Sequence, residues 1–240
     1  MRRRFFVDRF ENQAAVMVDE AAHHLGRVLR AQTGQLYELS DGAQVWLARV
    51  QEVGRDHVDF ALVEQLPAFQ PTFRSTLLLA VVKFDAFEWA LEKATELGVA
   101  RIVPVAANRS EKGLLAAAVK RAERWKKILL ESSQQSRRVQ VPELEPLMSA
   151  EEAFSLSGEG ALRILLSEAQ DARPLRMVLA GPQASSATLA IGPEGGWTDA
   201  EFAAARAAQL QEASLGKLIL RTETAVAAAL ASLNFALASD

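Results

Sequence analysis

The chain has 240 residues, a formal net charge of -3 and no cysteine; 50% of its residues are hydrophobic and 24% are charged. That is globular composition, and the missing cysteine excludes disulfides, zinc-thiolate sites, iron–sulfur clusters and thiol nucleophiles. The slight acidity excludes a uniformly basic nucleic-acid binder, so any contact with RNA must rest on local patches.

The chain opens on Met1-Arg2-Arg3-Arg4 and continues through Asp8, Arg9 and Glu11, too charged for a signal-peptide core. Ala14 to Val18 reads as a strand, and Glu20 to Arg30 as a short helix ending in basic residues. Gln35 to Leu39 and Gln44 to Val50 flank Ser40-Asp41-Gly42, a hairpin signal. A turn at Gly54-Arg55-Asp56 precedes a further strand at Val58 to Val63. Short strands at this spacing predict a small barrel. Pro67 and Pro71 break the pattern and mark a linker, which divides the chain into domains at 1–70 and 71–240.

Past the linker the period changes. Leu77 to Val82 is an apolar run suited to a strand covered on both faces. Ala86 to Leu97 places Phe87, Ala90, Leu91, Ala94 and Leu97 on one helical face, and Gly98 supplies the stop. With the strand at Ile102 to Val105 this makes a βαβ unit with parallel strands. Leu114 to Ser133 predicts one long amphipathic helix with Leu115, Ala118, Ala122, Trp125 and Leu129 inward. Leu162 to Ser167 and Thr188 to Ile191 read as buried strands. Thr198-Asp199-Ala200-Glu201 is a capping box that opens another helix. Leu218 to Leu220 reads as a last short strand, and the alanine-rich segment from Thr222 as the closing helix, too short to cross a bilayer. The fold class is α/β with a parallel sheet, preceded by the barrel.

Two segments carry chemistry. Ile191-Gly192-Pro193-Glu194-Gly195-Gly196 lies between a strand and a capped helix, where ligands of open parallel sheets bind. It has neither the Lys of a P-loop nor a dinucleotide fingerprint, and its carboxylate suits a neutral or cationic ligand such as S-adenosylmethionine. Leu215-Gly216-Lys217-Leu218-Ile219-Leu220-Arg221-Thr222-Glu223-Thr224 runs into the last helix. Thr222 can cap that helix and Glu223 suits its dipole, but Arg221 stands as a cation against it. Basic residues crowd the first thirty positions, and seven Lys or Arg against two Glu lie between Lys120 and Arg138.

These two segments resemble the RsmE family of ribosomal RNA methyltransferases, within the SPOUT superfamily. So do His24-Leu25-Gly26-Arg27-Val28-Leu29-Arg30, Glu92 to Val99 with Ile102 and Pro104, Arg109-Ser110, and Glu131 through Gln135-Ser136-Arg137. The family usually carries a basic residue after Lys83, where this chain has Phe84-Asp85-Ala86-Phe87. The resemblance implies a PUA-like RNA-binding β-barrel over 1–70 and a SPOUT α/β domain over 71–240 that ends in a trefoil knot. It implies S-adenosylmethionine-dependent methylation of uracil N3 in 16S (small-subunit) ribosomal RNA, as a cytoplasmic homodimer with no metal and no membrane. The cofactor would be held by Leu166, Glu168, Ile191, Gly192, Pro193, Glu194, Gly195, Gly196, Leu215, Gly216, Ile219, Leu220, Arg221, Thr222 and Thr224. Arg221 is expected to stabilise the uracil anion, with Glu223 or Glu194 accepting its proton. RNA contacts are expected from Arg2, Arg3, Arg4, Arg9, His24, Arg27 and Arg30, and from Arg109, Arg137 and Arg138 near the pocket mouth. Trp197 is the tryptophan to test for stacking. The alternatives are a SPOUT enzyme with another RNA target and a non-catalytic RNA-binding protein.

Overall fold

The computed structural model describes residues 3–69, 71, 73–156, 162–169, 171–181 and 184–237. The chain forms two compact units, Met1–Gln70 with Ser133–Val141, and Pro71–Ser132 with Pro142–Asp240.

In the first unit, β1 (Arg4–Phe6), β2 (Ala14–Val18), β3 (Leu36–Ser40), β4 (Val45–Val53) and β5 (His57–Leu66) form one sheet in the order β1-β3-β4-β5-β2. All pairs are antiparallel except β1 with β3. β4 shifts register against β5 at Leu47/Ala48 and at Val50/Glu52. Such bulges bend a strand and increase its twist, which lets five strands wrap around a core. Phe5, Ala15, Met17, Leu39, Ala48, Val50, Val58 and Phe60 fill that core. The expected hairpin joins β3 to β4, with the Asp41 carboxylate accepting the amides of Ala43 and Gln44. The helix expected at Glu20 to Arg30 starts one residue earlier. It consists of α1 (Asp19–His23) and a π-helical turn (His24–Val28) that buries Leu25 and leaves Arg27 exposed. The segment Ser133–Val141 adds itself to this unit: the Ser40 hydroxyl donates to the Val139 carbonyl at 2.7 Å.

The second unit is a parallel sheet with helices. Its strands are β6 (Arg74–Ala80), β7 (Arg101–Ala106), β8 (Glu143–Leu144), β9 (Met148–Ser149), β10 (Leu162–Leu166), β11 (Arg173–Pro174), β12 (Ser186–Ile191) and β13 (Gln211–Ser214). The order is β11-β13-β10-β12-β6-β7-β8, with β9 also on β7, and every pair is parallel. The βαβ unit is present as β6, α2 (Phe84–Glu96) and β7; α2 buries Phe87, Ala90, Leu91 and Ala94, and Gly98 follows at φ +86. Leu97, expected on that face, is only half-buried. The remaining helices are α3 (Lys112–Ala118), α4 (Ala122–Gln135), α5 (Ala150–Ser155), α6 (Leu175–Leu179), α7 (Asp199–Ala207) and α8 (Thr222–Leu237), which packs on α2.

Two expectations are corrected. The long helix is broken into α3 and α4 by a tighter turn at Val119–Arg121, with Val119 68% exposed. The last strand is Gln211–Ser214 and not Leu218 to Leu220, where Leu218 is 83% and Ile219 77% exposed. β13 lies between β10 and β11, so its backbone pairs on both sides and its place depends on neighbouring strands more than on apolar side chains.

Candidate functional site

β13, β10 and β12 are adjacent and parallel, so the loops after them leave from one edge of the sheet. That edge is where open parallel sheets hold ligands. The loop after β10 (Ser167, Glu168, Ala169), the turn after β12 (Gly192 to Trp197) and the loop after β13 (Leu215 to Leu220) surround a cavity of about 280 Å³. Leu166, Ile191, Phe202 and Ala225 add apolar lining, and Arg109, Glu168, Glu194 and Lys217 supply the charged side chains.

The turn after β12 is held from several directions. Trp197 is 4% exposed and meets Phe154 edge-on at 5.3 Å between centroids. A Cβ on Gly192 would stand 3.1 Å from the Trp197 ring, so glycine here serves indole packing. A Cβ on Gly195 would stand 3.3 Å from Arg109 Cβ, while Gly196 sits at φ +68, where a side chain is strained. Arg109 Nη1 donates to the Gly195 carbonyl at 2.7 Å, and the Thr222 hydroxyl donates to the Gly192 carbonyl at 3.1 Å. The Thr198 capping box is present, with Glu201 accepting from the Thr198 amide at 2.7 Å. Gly216, in the opposite loop, has φ +142 and open space around it.

Most of the expected pocket residues line this cavity: Leu166, Glu168, Ile191 to Gly196, Leu215, Gly216, Ile219, Leu220 and Thr222. Arg221, Glu223 and Thr224 do not. Thr222 does not cap α8 through its hydroxyl; it is the first helical residue and turns inward to Gly192. At 100° per residue its neighbours point elsewhere, and Arg221 and Thr224 are exposed. The arginine that does line the pocket is Arg109, expected as an RNA contact near the pocket mouth. Ser167, Ala169, Phe202, Ser214, Lys217, Leu218 and Ala225 also line it without having been expected. Once β13 is placed at Gln211–Ser214, the two-residue reach to Gly216 identifies Ser214 and Lys217. Trp197 lines the cavity from the core, buried and packed on Phe154, so its ring is no exposed stacking platform.

The basic residues divide. Arg2 lies outside the described residues. Arg3, Arg9, Arg27 and Arg30 are exposed, Arg9 pairing with Glu11 at 2.7 Å, and His24 is half-buried. Arg4 is corrected from a surface contact to a structural cation: it is 8% exposed, meets Glu38 at 3.1 Å and donates to the Arg137 carbonyl. Arg137 and Arg138 belong to the first unit. Arg137 stands 3.7 Å from Glu38, and burial pushes Arg138 down to about 10, still cationic at neutral pH. Arg121 and Arg124 are both bound to Glu88 of α2, whose carboxyl Arg124 holds below its usual range, and Arg121 covers the Phe84 ring at 4.0 Å. The unusual Phe84 stretch is thus used for packing.

Among the described residues, no helix is long and apolar enough to cross a membrane, and no group of three His, Asp or Glu is placed to hold a metal.

The sequence matches the RNA methyltransferase PUA domain over residues 19–63 and the RNA methyltransferase domain over residues 70–234. Ribosomal RNA small subunit methyltransferase E of Synechocystis sp. is 34% identical, the match covering 90% of this chain and 71% of that protein. The protein of the same name from Bacillus subtilis is 29% identical, over 90% of this chain and 88% of its own. The crystal structure of ribosomal RNA small subunit methyltransferase E from Neisseria gonorrhoeae, bound to S-adenosyl methionine, superposes with a TM-score of 0.89 at 29% identity over 99% of both chains. A cavity at the carboxyl ends of three adjacent parallel strands, a PUA domain before it and likeness along nearly the whole length lead to one conclusion: the chain belongs to the ribosomal RNA small subunit methyltransferase E family.

Proposed function

We propose that this protein transfers a methyl group from S-adenosylmethionine to N3 of a uridine in small-subunit ribosomal RNA. The observation that carries the reading is the cavity formed by the loops after β10, β12 and β13. Its residues fit this cofactor. Leu166, Ile191, Leu215 and Leu220 offer aliphatic walls to a flat base, backbone groups of two loops can read its edges, and Glu168 and Glu194 face a ligand with positive charge. When bound, the cofactor supplies an electrophilic methyl on a sulfonium.

The chain's own task is the nucleophile, because uridine N3 is protonated at neutral pH. Arg109 is permanently cationic, stands at the pocket and is suited to stabilise the imide anion, the role first assigned to Arg221. Glu194 is the carboxylate of the glycine turn and is suited to take the proton. The target base must leave its stack to reach them. Exposed Arg3, Arg9, Arg27 and Arg30, with His24, are suited to bind RNA phosphates. A substrate of this kind supports a cytoplasmic location.

Two further features are part of the reading. Pairing into a homodimer is supported by Phe235 (94% exposed), which lines an open groove of about 1210 Å³ that borders the pocket. A trefoil knot is supported by the path of the chain: after β13 it returns past the turn at Gly192, to which Thr222 is bonded, before α8 packs on α2.

The test is incubation with unmodified small-subunit RNA, or the assembled subunit, and methyl-labelled cofactor, followed by mapping of the label. Label on uracil N3 is expected, with Arg109→Ala lowering kcat by about 10²- to 10³-fold. Label on a ribose hydroxyl would redirect the target, and no transfer by a folded, cofactor-binding protein would overturn the enzyme.

A further inference from the structure

The α7 capping box does more than cap. Glu201 is fully buried, and both of its oxygens are used: Oε2 accepts from the Thr198 amide at 2.7 Å and the Thr198 hydroxyl at 2.8 Å, while Oε1 accepts from the backbone amide of Asn108 at 2.8 Å. Asn108 is 93 residues away in sequence, in the loop after β7. The protein contains its own control. Ser149 and Glu152 form the same box at α5, where Glu152 is exposed and its capping bonds go to Ser149 alone. Capping therefore does not require a buried carboxylate or a second acceptor, and burying one is costly unless it is fully bonded. At α7 that cost is met by three donors, one of them from a loop with no part in the helix.

The loop so captured carries Arg109 as its next residue. From there the side chain runs along Gly195, where a Cβ would meet Arg109 at 3.3 Å, and Nη1 reaches the Gly195 carbonyl at 2.7 Å. The Asn108 amide group adds a longer bond to the Thr198 hydroxyl at 3.4 Å. Arg109 is thereby fixed at both ends, its backbone through Glu201 and its guanidinium through Gly195, with further donors of the five-donor fork left for the pocket.

We propose that Glu201 is a positioning residue for methyl transfer, acting through the Asn108 amide to set where the Arg109 guanidinium meets the target base. The inference rests on Arg109 facing that base. A shift of about 1 Å in a positioned group can lower turnover 10²-fold, so a tie of this kind acts on kcat.

The experiment is a double-mutant cycle in the full-length protein with RNA substrate and cofactor. Glu201→Gln offers one acceptor oxygen and turns an N–H group toward one of the present donors. Its kcat should fall about 10- to 100-fold, with cofactor affinity by calorimetry unchanged. Combined with Arg109→Ala it should cost no more than Arg109→Ala alone, because both changes remove one device. Additive losses, or wild-type turnover of folded Glu201→Gln, would overturn the role of Glu201. Wild-type turnover of Arg109→Ala would instead overturn the reading of Arg109. Should Glu201→Gln not reach the native melting transition, Glu201→Asp keeps the charge and leaves the Thr198 hydroxyl its bond from the backbone amide at 201, while a side chain one methylene shorter is expected to loosen the tie to Asn108. The same cycle is then read with that variant.

Discussion

The turn at Gly192–Thr198 and the loop at Leu215–Arg221 face the same cavity, yet the fold holds them differently. In the turn, Trp197 is 4% exposed, the Gly196 amide donates to the Pro193 carbonyl at 2.8 Å, and bonds arrive from Arg109 and Thr222. In the loop, Leu218 and Ile219 are among the most exposed apolar residues, and the bonds that shape it are local ones between Ser214 and Gly216 at 2.9 and 3.1 Å. One wall is organised before any ligand arrives. The other presents aliphatic surface that a ligand would cover, and it gives the fold little in return. Preorganisation on one side lowers the cost of binding, while the open side admits the ligand.

The comparison can be broken most sharply at Trp197. Trp197→Ala removes a core aromatic and should cost about 3–5 kcal/mol in denaturant unfolding; a loss under 1 kcal/mol would mean that the turn is not anchored by its indole. Gly192→Ala comes next, because its methyl meets the ring at 3.1 Å. It should cost about 1–3 kcal/mol and weaken cofactor binding in calorimetry. Thr222→Val then removes one hydroxyl from the Gly192 carbonyl, for about 1 kcal/mol in the same unfolding assay. The smallest stability effect belongs to the open wall. Leu218→Ala with Ile219→Ala should stay within about 0.5 kcal/mol of wild type. Its cofactor affinity in calorimetry should nevertheless fall. If instead the paired change destabilised the fold as much as Gly192→Ala, the two walls would not differ in kind.

Much of this site was legible along the chain. Strict local rules located the Gly98 stop, the Thr198 capping box and the glycine turn, because each depends on backbone freedom or on a partner three residues away. The exposed position of Arg221 was not legible for a related reason: the helix start was recognised, but the direction of each side chain depends on Thr222 turning toward Gly192, a bond spanning 30 residues.

By itself, then, the amino-acid order determined most of the segments that hide an apolar face, most of the turns, and the barrel-then-parallel-sheet succession. Periodicity and turn chemistry are properties of neighbouring residues. Only the tertiary structure decided that Gln211–Ser214 is the strand between β10 and β11, that Ser133–Val141 joins the first unit, that Arg4 is spent on Glu38, and that Arg109 enters the pocket while Arg221 stays out. In each case the deciding partner lies far away in sequence, and a donor or a strand edge is satisfied by whatever the packing of the sheet brings beside it.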